Sequence, residues 1–253
     1  MSDLADAARA LAERACTGKA LVALTGAGIS AESGIPTFRG EGGLWTKYRP
    51  EDVATAEVFF RDPAQSWRFH DELRRLCHEA RPNPGDLGLA RMQADAAAHC
   101  ESAVITQNID HLHQDAGSTR VIELHGDIMR ARCLECNATT EELPVPLEEV
   151  PPRCECGGLL RPDVVWFGEL LPEEAIGAAR RWSERAGAML VIGTSATVEP
   201  AASLPLIARM SGALLIEVNP EPTALTGVAE FSLRGTAGQL MPQLAELFAH
   251  DLR

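Results

Sequence analysis

The stretch TGAGISAESGIPTFRG, residues 25–40, follows directly on the apolar run at 20–24. Gly26, Gly28 and Ala31 satisfy the G-x-G-x-x-(G/A) spacing. A short buried strand feeding such a turn lets bare backbone approach a pyrophosphate at a helix start. An ordinary dehydrogenase would continue with a helix, a second strand and a ribose-binding carboxylate about 20 residues on. Here Gly34-Ile35-Pro36, Phe38-Arg39-Gly40 and Gly42-Gly43 follow instead. Proline and glycine at that density break a helix within two turns. The turn is that of a nucleotide site; the segment after it is not a long helix.

Further apolar runs at 103–105, 121–124, 189–192 and 214–218 alternate with helical patterns at 86–98, 172–186, 200–210 and 237–249. That alternation predicts an α/β fold with a Rossmann-like parallel sheet covered on both faces. The loops after these strands carry the unusual residues: GAGIS, TQNIDHLHQDAG, HGD, GTSATVEP and NPEP. Ligands in open α/β sheets sit beyond the carboxyl ends of the strands, so five such loops describe one site. Residues 41–79 and 128–165 break the rhythm and read as insertions that build a smaller zinc-binding domain. Residues 1–40, 80–127 and 166–253 then form the Rossmann-like, NAD-binding domain.

The 253 residues carry 23 basic and 36 acidic side chains, a net charge of −13. Phosphate contacts need a positive face, so direct nucleic-acid binding is not expected, whereas basic peptide segments are tolerated. No apolar run approaches the roughly 20 residues that span a bilayer, and MSDLADAARALAERA reads as a charged amphipathic helix without a signal-peptide core. A cytoplasmic protein with no membrane partner is expected.

Of seven cysteines, Cys16, Cys77 and Cys100 stand singly and read as packing residues. Cys133-x-x-Cys136 and Cys154-x-Cys156 supply four thiolates within 24 residues, the donor set of a tetrahedral structural zinc. The second pair is one residue tighter than the usual knuckle. The segment is not basic, which argues against a zinc-ribbon nucleic-acid module.

His125, where the run at 121–124 ends, has the near-neutral titration that suits a general base. Gln107, Asn108 and Asp110 bring amides and a carboxylate to another strand end, and Gly193, Thr194 and Ser195 offer backbone N–H groups and hydroxyls for ribose or phosphate.

Taken together, GAGISAESGIPTFRG, TQNIDHLHQDAG, LHGD, CLEC, VVWFGE, GTSATVEPAA and NPEP resemble, in order and spacing, a sirtuin. The likeness runs from about residue 18 to 248 and implies an NAD-dependent protein-lysine deacylase, in which NAD is consumed and one structural zinc is bound. Motif matching implies that Ala27, Ile35, Phe38 and Arg39 line the nicotinamide side. Gln107, Asn108 and Asp110 would hold nicotinamide and its ribose, with Ile109 beside them. Thr194 and Ser195 would take phosphate and adenosine ribose, with Asn219, Pro220, Glu221 and Ala237 around the adenosine. Gly26, Gly28, Ile29, Glu32, Trp45 and Gly193 complete the implied cofactor set. His125, Asn108 and Asp110 would be the catalytic residues. The implied reaction is attack of the acyl-lysine oxygen on C1′ with loss of nicotinamide, then His125-assisted attack of a ribose hydroxyl, leaving free lysine and O-acyl-ADP-ribose. Val164-Val165-Trp166-Phe167-Gly168-Glu169 would be the strand that pairs with acyl-lysine peptides or proteins by β-augmentation.

Sirtuins that remove succinyl or malonyl groups carry Tyr-x-x-Arg on a small-domain helix. The surroundings here resemble that class, with Ala54 leaving a roomy acyl pocket, yet His70 and Leu73 stand at the tyrosine and arginine positions. A preference for neutral acyl groups follows, with His70 able to offer one hydrogen bond. Leu73 also fits a core stripe with Phe69, Leu76 and Cys77. Asp86 stands where a histidine is common. Two other readings share parts of this pattern: a mono-ADP-ribosyltransferase or NAD hydrolase, and a non-catalytic NAD-sensing module.

Overall fold

The computed structural model describes residues 2–15, 17–37, 43 and 46–253. Its strands are β1 (Ala20–Thr25), β2 (Ser102–Thr106), β3 (Val121–Glu123), β4 (Gly126–Cys133), β5 (Thr139–Thr140), β6 (Leu160–Val164), β7 (Ala186–Ile192), β8 (Leu214–Val218) and β9 (Phe231–Leu233). The helices are α1 (Ser2–Ala15), α2 (Pro50–Val53), α3 (Ala56–Arg61), α4 (Pro63–Glu79), α5 (Pro84–Ala96), α6 (Leu112–Asp115), α7 (Glu173–Arg185), α8 (Leu204–Met210) and α9 (Ala237–Asp251).

The main sheet is parallel throughout, in the order β3-β2-β1-β7-β8-β9. Every residue of β1, β7 and β8 is buried, as continuous apolar runs in a two-faced sheet require. Leu11, Leu89, Met92, Leu244 and Phe248 pack on one face, from α1, α5 and α9. Ala179, Leu204 and Ala208, from α7 and α8, cover the other. The order reverses between β1 and β7, the topological switch point at which such sheets bind ligands. Among the described residues after β1, up to 37, the chain makes the single 3-10 turn Ala31–Ser33, closed by Gly34 at φ +85°. The expected break of the helix is thus observed.

The sixth strand, β9, was not legible as a strand: three residues, two of them only partly buried, leave no apolar run. Neither was the antiparallel sheet β5-β4-β6. Its core joins Ile128, Ala131 and Leu160 to Phe59, Trp67, Phe69 and Leu73 of α3 and α4. The stripe expected on α4 holds at Phe69, Leu73 and Cys77, whereas Leu76 is 38% exposed. Among the described residues no helix is long and apolar enough to cross a membrane.

Candidate active site

The glycine turn and the loop after β7 are packed backbone to backbone. Gly28 N donates to the Gly193 carbonyl at 2.8 Å. A Cβ on Gly28 would lie 2.8 Å from Gly193 Cα, and one on Gly26 would lie 2.7 Å from Thr194 Cβ. Gly193 itself adopts φ +61°. These glycines are therefore required by loop-to-loop contact at the switch point, in addition to any approach of a ligand.

The loop after β2 is tied into the same place. Gln107 Nε2 donates to Thr194 Oγ1 at 2.9 Å. Asn108 Nδ2 donates to the Gly26 carbonyl at 3.2 Å and to Ser30 Oγ at 2.9 Å. Ser30 Oγ in turn donates to Asp110 Oδ2 at 2.6 Å, and Leu112 N donates to Asp110 Oδ1 at 3.1 Å. Burial pushes the Asp110 carboxyl above its ordinary value, with Ser30 opposing. Ser30, not singled out from sequence, is the joint of this network; its only signal was membership of the GAGIS motif. Asn219 Nδ2 closes the ring by donating to the Thr194 carbonyl at 3.1 Å.

His125 follows β3 and places Nδ1 2.7 Å from the Gln107 carbonyl. A carbonyl only accepts, so Nδ1 carries the hydrogen and Nε2 keeps its lone pair. Burial lowers the His125 pKa, with the Gln107 carbonyl opposing. The ring is thus a neutral base at physiological pH.

A cavity of about 1070 Å³ joins these groups. Gly26, Ala27, Gly28, Glu32, Gln107, Asn108, Ile109, His125, Gly193, Thr194, Ser195, Asn219, Pro220 and Glu221 all line it. A neighbouring pocket of about 20 Å³ is lined by Ala27, Ile35, Leu73, Asn108, Ile109 and Asp110. Ile29 and Ala237 line neither; both are buried in the core beneath the sheet. Glu32, which lines the cavity, also caps α9: Gly238 N and Thr236 Oγ1 donate to its carboxylate at 2.7 and 3.0 Å. Phe38, Arg39 and Trp45 lie outside the described residues.

The other end of the cavity is lined by Ala54, Phe69, His70, Leu73 and residues 164–169. Only Val164 of that segment lies in a strand. Val165 N donates to the His125 carbonyl at 2.9 Å and Phe167 N to the Ala54 carbonyl at 3.0 Å, before Gly168 turns at φ +86°. The expected six-residue strand is thus an extended segment held at alternate amides. Trp166 is buried and Glu169 half-buried, and both meet Arg161. Arg161 lies 3.8 Å above the Trp166 ring and donates to both Glu169 oxygens at 2.8 and 2.9 Å. Burial favours the neutral acid of Glu169, but Arg161 and the Trp166 backbone N–H together outweigh it and hold the pKa below the ordinary value.

His70 is fully engaged. Its Nδ1 lies 2.7 Å from the Ser66 carbonyl and its Nε2 accepts from Trp166 Nε1 at 3.0 Å. Burial lowers its pKa to about 4. The hydrogen bond expected from His70 to an acyl group therefore has no donor to supply it. Arg74 and Arg75 point elsewhere: Arg74 to Asp71 and the carbonyls of Leu143 and Pro144, Arg75 to Asp71.

Away from the cavity, the sulfurs of Cys133, Cys136, Cys154 and Cys156 all lie within 4.8 Å of one another. The pairs Cys133–Cys156 and Cys136–Cys154 are 3.6 and 3.7 Å apart. Four thiolates about 2.3 Å from one ion stand roughly 3.8 Å apart, so this set fits a tetrahedral zinc with no open position. His111, Glu123 and Asp127 also cluster, but Arg130 already supplies their cation through Glu123 and Asp127.

A family profile described as Sir2 family matches residues 26–200. The NAD-dependent protein deacylase 2 of Pyrobaculum aerophilum is 52% identical over 233 residues, 92% of each chain. The NAD-dependent protein deacylase of Aquifex aeolicus is 52% identical over 86% of this chain and 90% of its own. A solved Sir2 homolog–NAD complex superposes with a TM-score of 0.87 at 45% identity, covering 96% of this chain and 94% of that one. A Sir2–p53 peptide–NAD+ complex matches with a TM-score of 0.80 at 38% identity, over 92% and 95% of the two chains. The glycine turn at the switch point, the neutral histidine on the cavity and the four-thiol cluster thus accompany likeness along nearly the whole chain, which belongs to the Sir2 family.

Proposed function

We propose that this chain is an NAD-dependent protein-lysine deacylase that favours neutral acyl groups over succinyl and malonyl. The observation that carries the reading is His125: its Nδ1–H is spent on Gln107, and it lines the cavity shared by the glycine turn and by Ala54, His70 and Leu73. NAD, consumed as co-substrate, supplies an electrophilic ribose carbon and a nicotinamide leaving group. His125 takes the proton of a hydroxyl at its Nε2, which a neutral, positioned imidazole can do near pH 7. Asn108 and Gln107, held by Gly26, Ser30 and Thr194, orient the ribose and nicotinamide side. The extended residues 165–167 form the wall on which a peptide backbone lies, with Phe167 49% exposed there. A related complex that holds both a peptide and NAD+ supports a peptide or protein as the second substrate.

Neutral acyl groups are favoured because, among the described residues, the one cation near the acyl end, Arg161, sits behind Trp166 and is already paired with both Glu169 oxygens. Among the described lining residues of the cavity there is no lysine or arginine. An unpartnered carboxylate taken from water into such a pocket costs several kcal/mol. A panel of acyl-lysine peptides with NAD tests the reading. The expected kcat/KM for acetyl or a longer neutral acyl group exceeds that for succinyl by about tenfold or more, about 1.4 kcal/mol. A preference for succinyl would contradict it.

A further inference from the structure

Beneath the glycine turn, Asp86 of α5 and His113 of α6 face each other in a fully enclosed place, 2% exposed or less. Asp86 Oδ2 accepts from Asn83 N at 3.0 Å. Asp86 Oδ1 and His113 Nδ1 stand 3.6 Å apart, and neither has another partner among the described residues. On its far side His113 Nε2 lies 2.8 Å from Thr25 Oγ1, at the end of β1. The Thr25 hydroxyl donates to Thr106 Oγ1 at 2.9 Å, which also accepts from Asn108 N at 3.0 Å. A hydroxyl has one hydrogen, so with Thr25 committed to Thr106, His113 Nε2 must be the donor to Thr25. Nδ1 then either offers a lone pair to an acid O–H or offers N–H⁺ to a carboxylate. Either way, one proton lies between Asp86 and His113. Burial raises Asp86 to about 7 and lowers His113 to about 4, which favours the neutral acid beside the neutral ring. Of the nearby charges, the carboxylates of Asp110 and Glu32 also push Asp86 upward.

The pair is coupled to the turn at both ends. Asn83, whose N–H is held by Asp86, donates from Nδ2 to the Ile29 carbonyl at 2.7 Å and to Ser33 Oγ at 2.9 Å. Asn108, at the other end of the chain, holds the Gly26 carbonyl.

We propose that Asp86, acting through His113, is a positioning residue for NAD: the proton they share keeps the floor of the turn neutral, and NAD binding takes that proton up. The inference rests on the reading of turn 26–33 as the seat of NAD. Loss of the proton to solvent leaves a second buried carboxylate beside Asp110, with the exposed Glu32 also near, under a turn that must accept a diphosphate. The His113 hydrogen then moves from Nε2 to Nδ1 to meet the carboxylate, and the Thr25 hydroxyl reverses to donate to Nε2. Binding of an anion above and protonation below are therefore linked.

Calorimetric titration of the intact protein with NAD, in buffers of differing ionisation enthalpy, reads this directly. The wild type takes up a fraction of a proton on binding near pH 8, and its Kd rises at least about fivefold between roughly pH 6.5 and pH 9. Asp86→Asn, whose amide donates permanently to His113 Nδ1 while its oxygen still accepts from Asn83, binds without proton uptake and with a flat pH profile. Equal proton uptake in wild type and Asp86→Asn, or none in the wild type, overturns the proposal. A wild type that binds no NAD at the lower pH overturns the cofactor reading with it. The ring ¹⁵N shifts of His113 in the unliganded wild type test the pair without either variant or ligand. They should report the Nε2–H tautomer at low pH and Nδ1–H at high pH; a single tautomer throughout contradicts the account.

Discussion

Trp166 Nε1 donates to His70 Nε2 at 3.0 Å, so the imidazole at the acyl end of the cavity faces its substrate space with no hydrogen to give. Its Nδ1–H is spent on the Ser66 carbonyl, and burial keeps the ring neutral. Replacing His70 and Leu73 by a clamp should therefore change acyl choice. His70→Tyr with Leu73→Arg is expected to raise kcat/KM for succinyl-lysine by about tenfold or more, as a bidentate guanidinium offsets carboxylate desolvation. Steady-state rates on matched acetyl and succinyl peptides check it. An unchanged succinyl rate in a folded variant would mean that these positions do not reach the acyl group.

His125→Ala should lower deacylation by on the order of 10²-fold or more while leaving NAD binding largely intact. In the wild type the acid limb of kcat/KM should fall below the ordinary imidazole value of 6.5, since burial depresses the His125 pKa. Activity is then lost only as pH drops through that lowered value. A pH–rate profile whose acid limb lies above 6.5 would point to another base.

Gly28→Ala should destabilise the protein by about 1–3 kcal/mol, because overpacking cannot be relieved where the neighbour is backbone. The added methyl would meet Gly193 Cα and O at 2.8 Å. Denaturant unfolding measures the stability loss and NAD titration the accompanying loss of affinity. A variant with wild-type stability would show that the two loops can separate freely.

One zinc per chain is expected on Cys133, Cys136, Cys154 and Cys156. Cys156→Ser should loosen the β4–β5–β6 sheet rather than shift acyl preference, because a structural zinc contributes folding energy. Metal analysis of gently purified protein, with thermal unfolding before and after chelation, checks both parts. Protein without zinc, or unfolding unaffected by chelation, would contradict them.

The parallel sheet was legible because buried strands write themselves as apolar runs, as at 20–24 and 189–192. Phe231–Leu233 was not, being short and half-covered. Gly26 and Gly28 were legible as a turn, but their contact with Gly193 depends on loops some 165 residues apart in the chain, which spacing does not report. His125 was visible at a strand end, whereas its tautomer came from the Gln107 carbonyl. For the same reason His70 was read as a donor: the ring type was evident, its two partners were not. Trp166 and Glu169 were read with the substrate strand, and both line the cavity; that Arg161 stacks on the one and pairs with the other was not legible.

The central claim is that NAD is consumed to remove an acyl group from lysine. Incubating the protein with NAD and an acetyl-lysine peptide, and quantifying products by mass spectrometry, tests it most directly. The account predicts peptide-dependent release of nicotinamide, with free-lysine peptide and O-acetyl-ADP-ribose formed in equal amounts. Nicotinamide release without deacylated peptide, with ADP-ribose free or attached to protein, would contradict it.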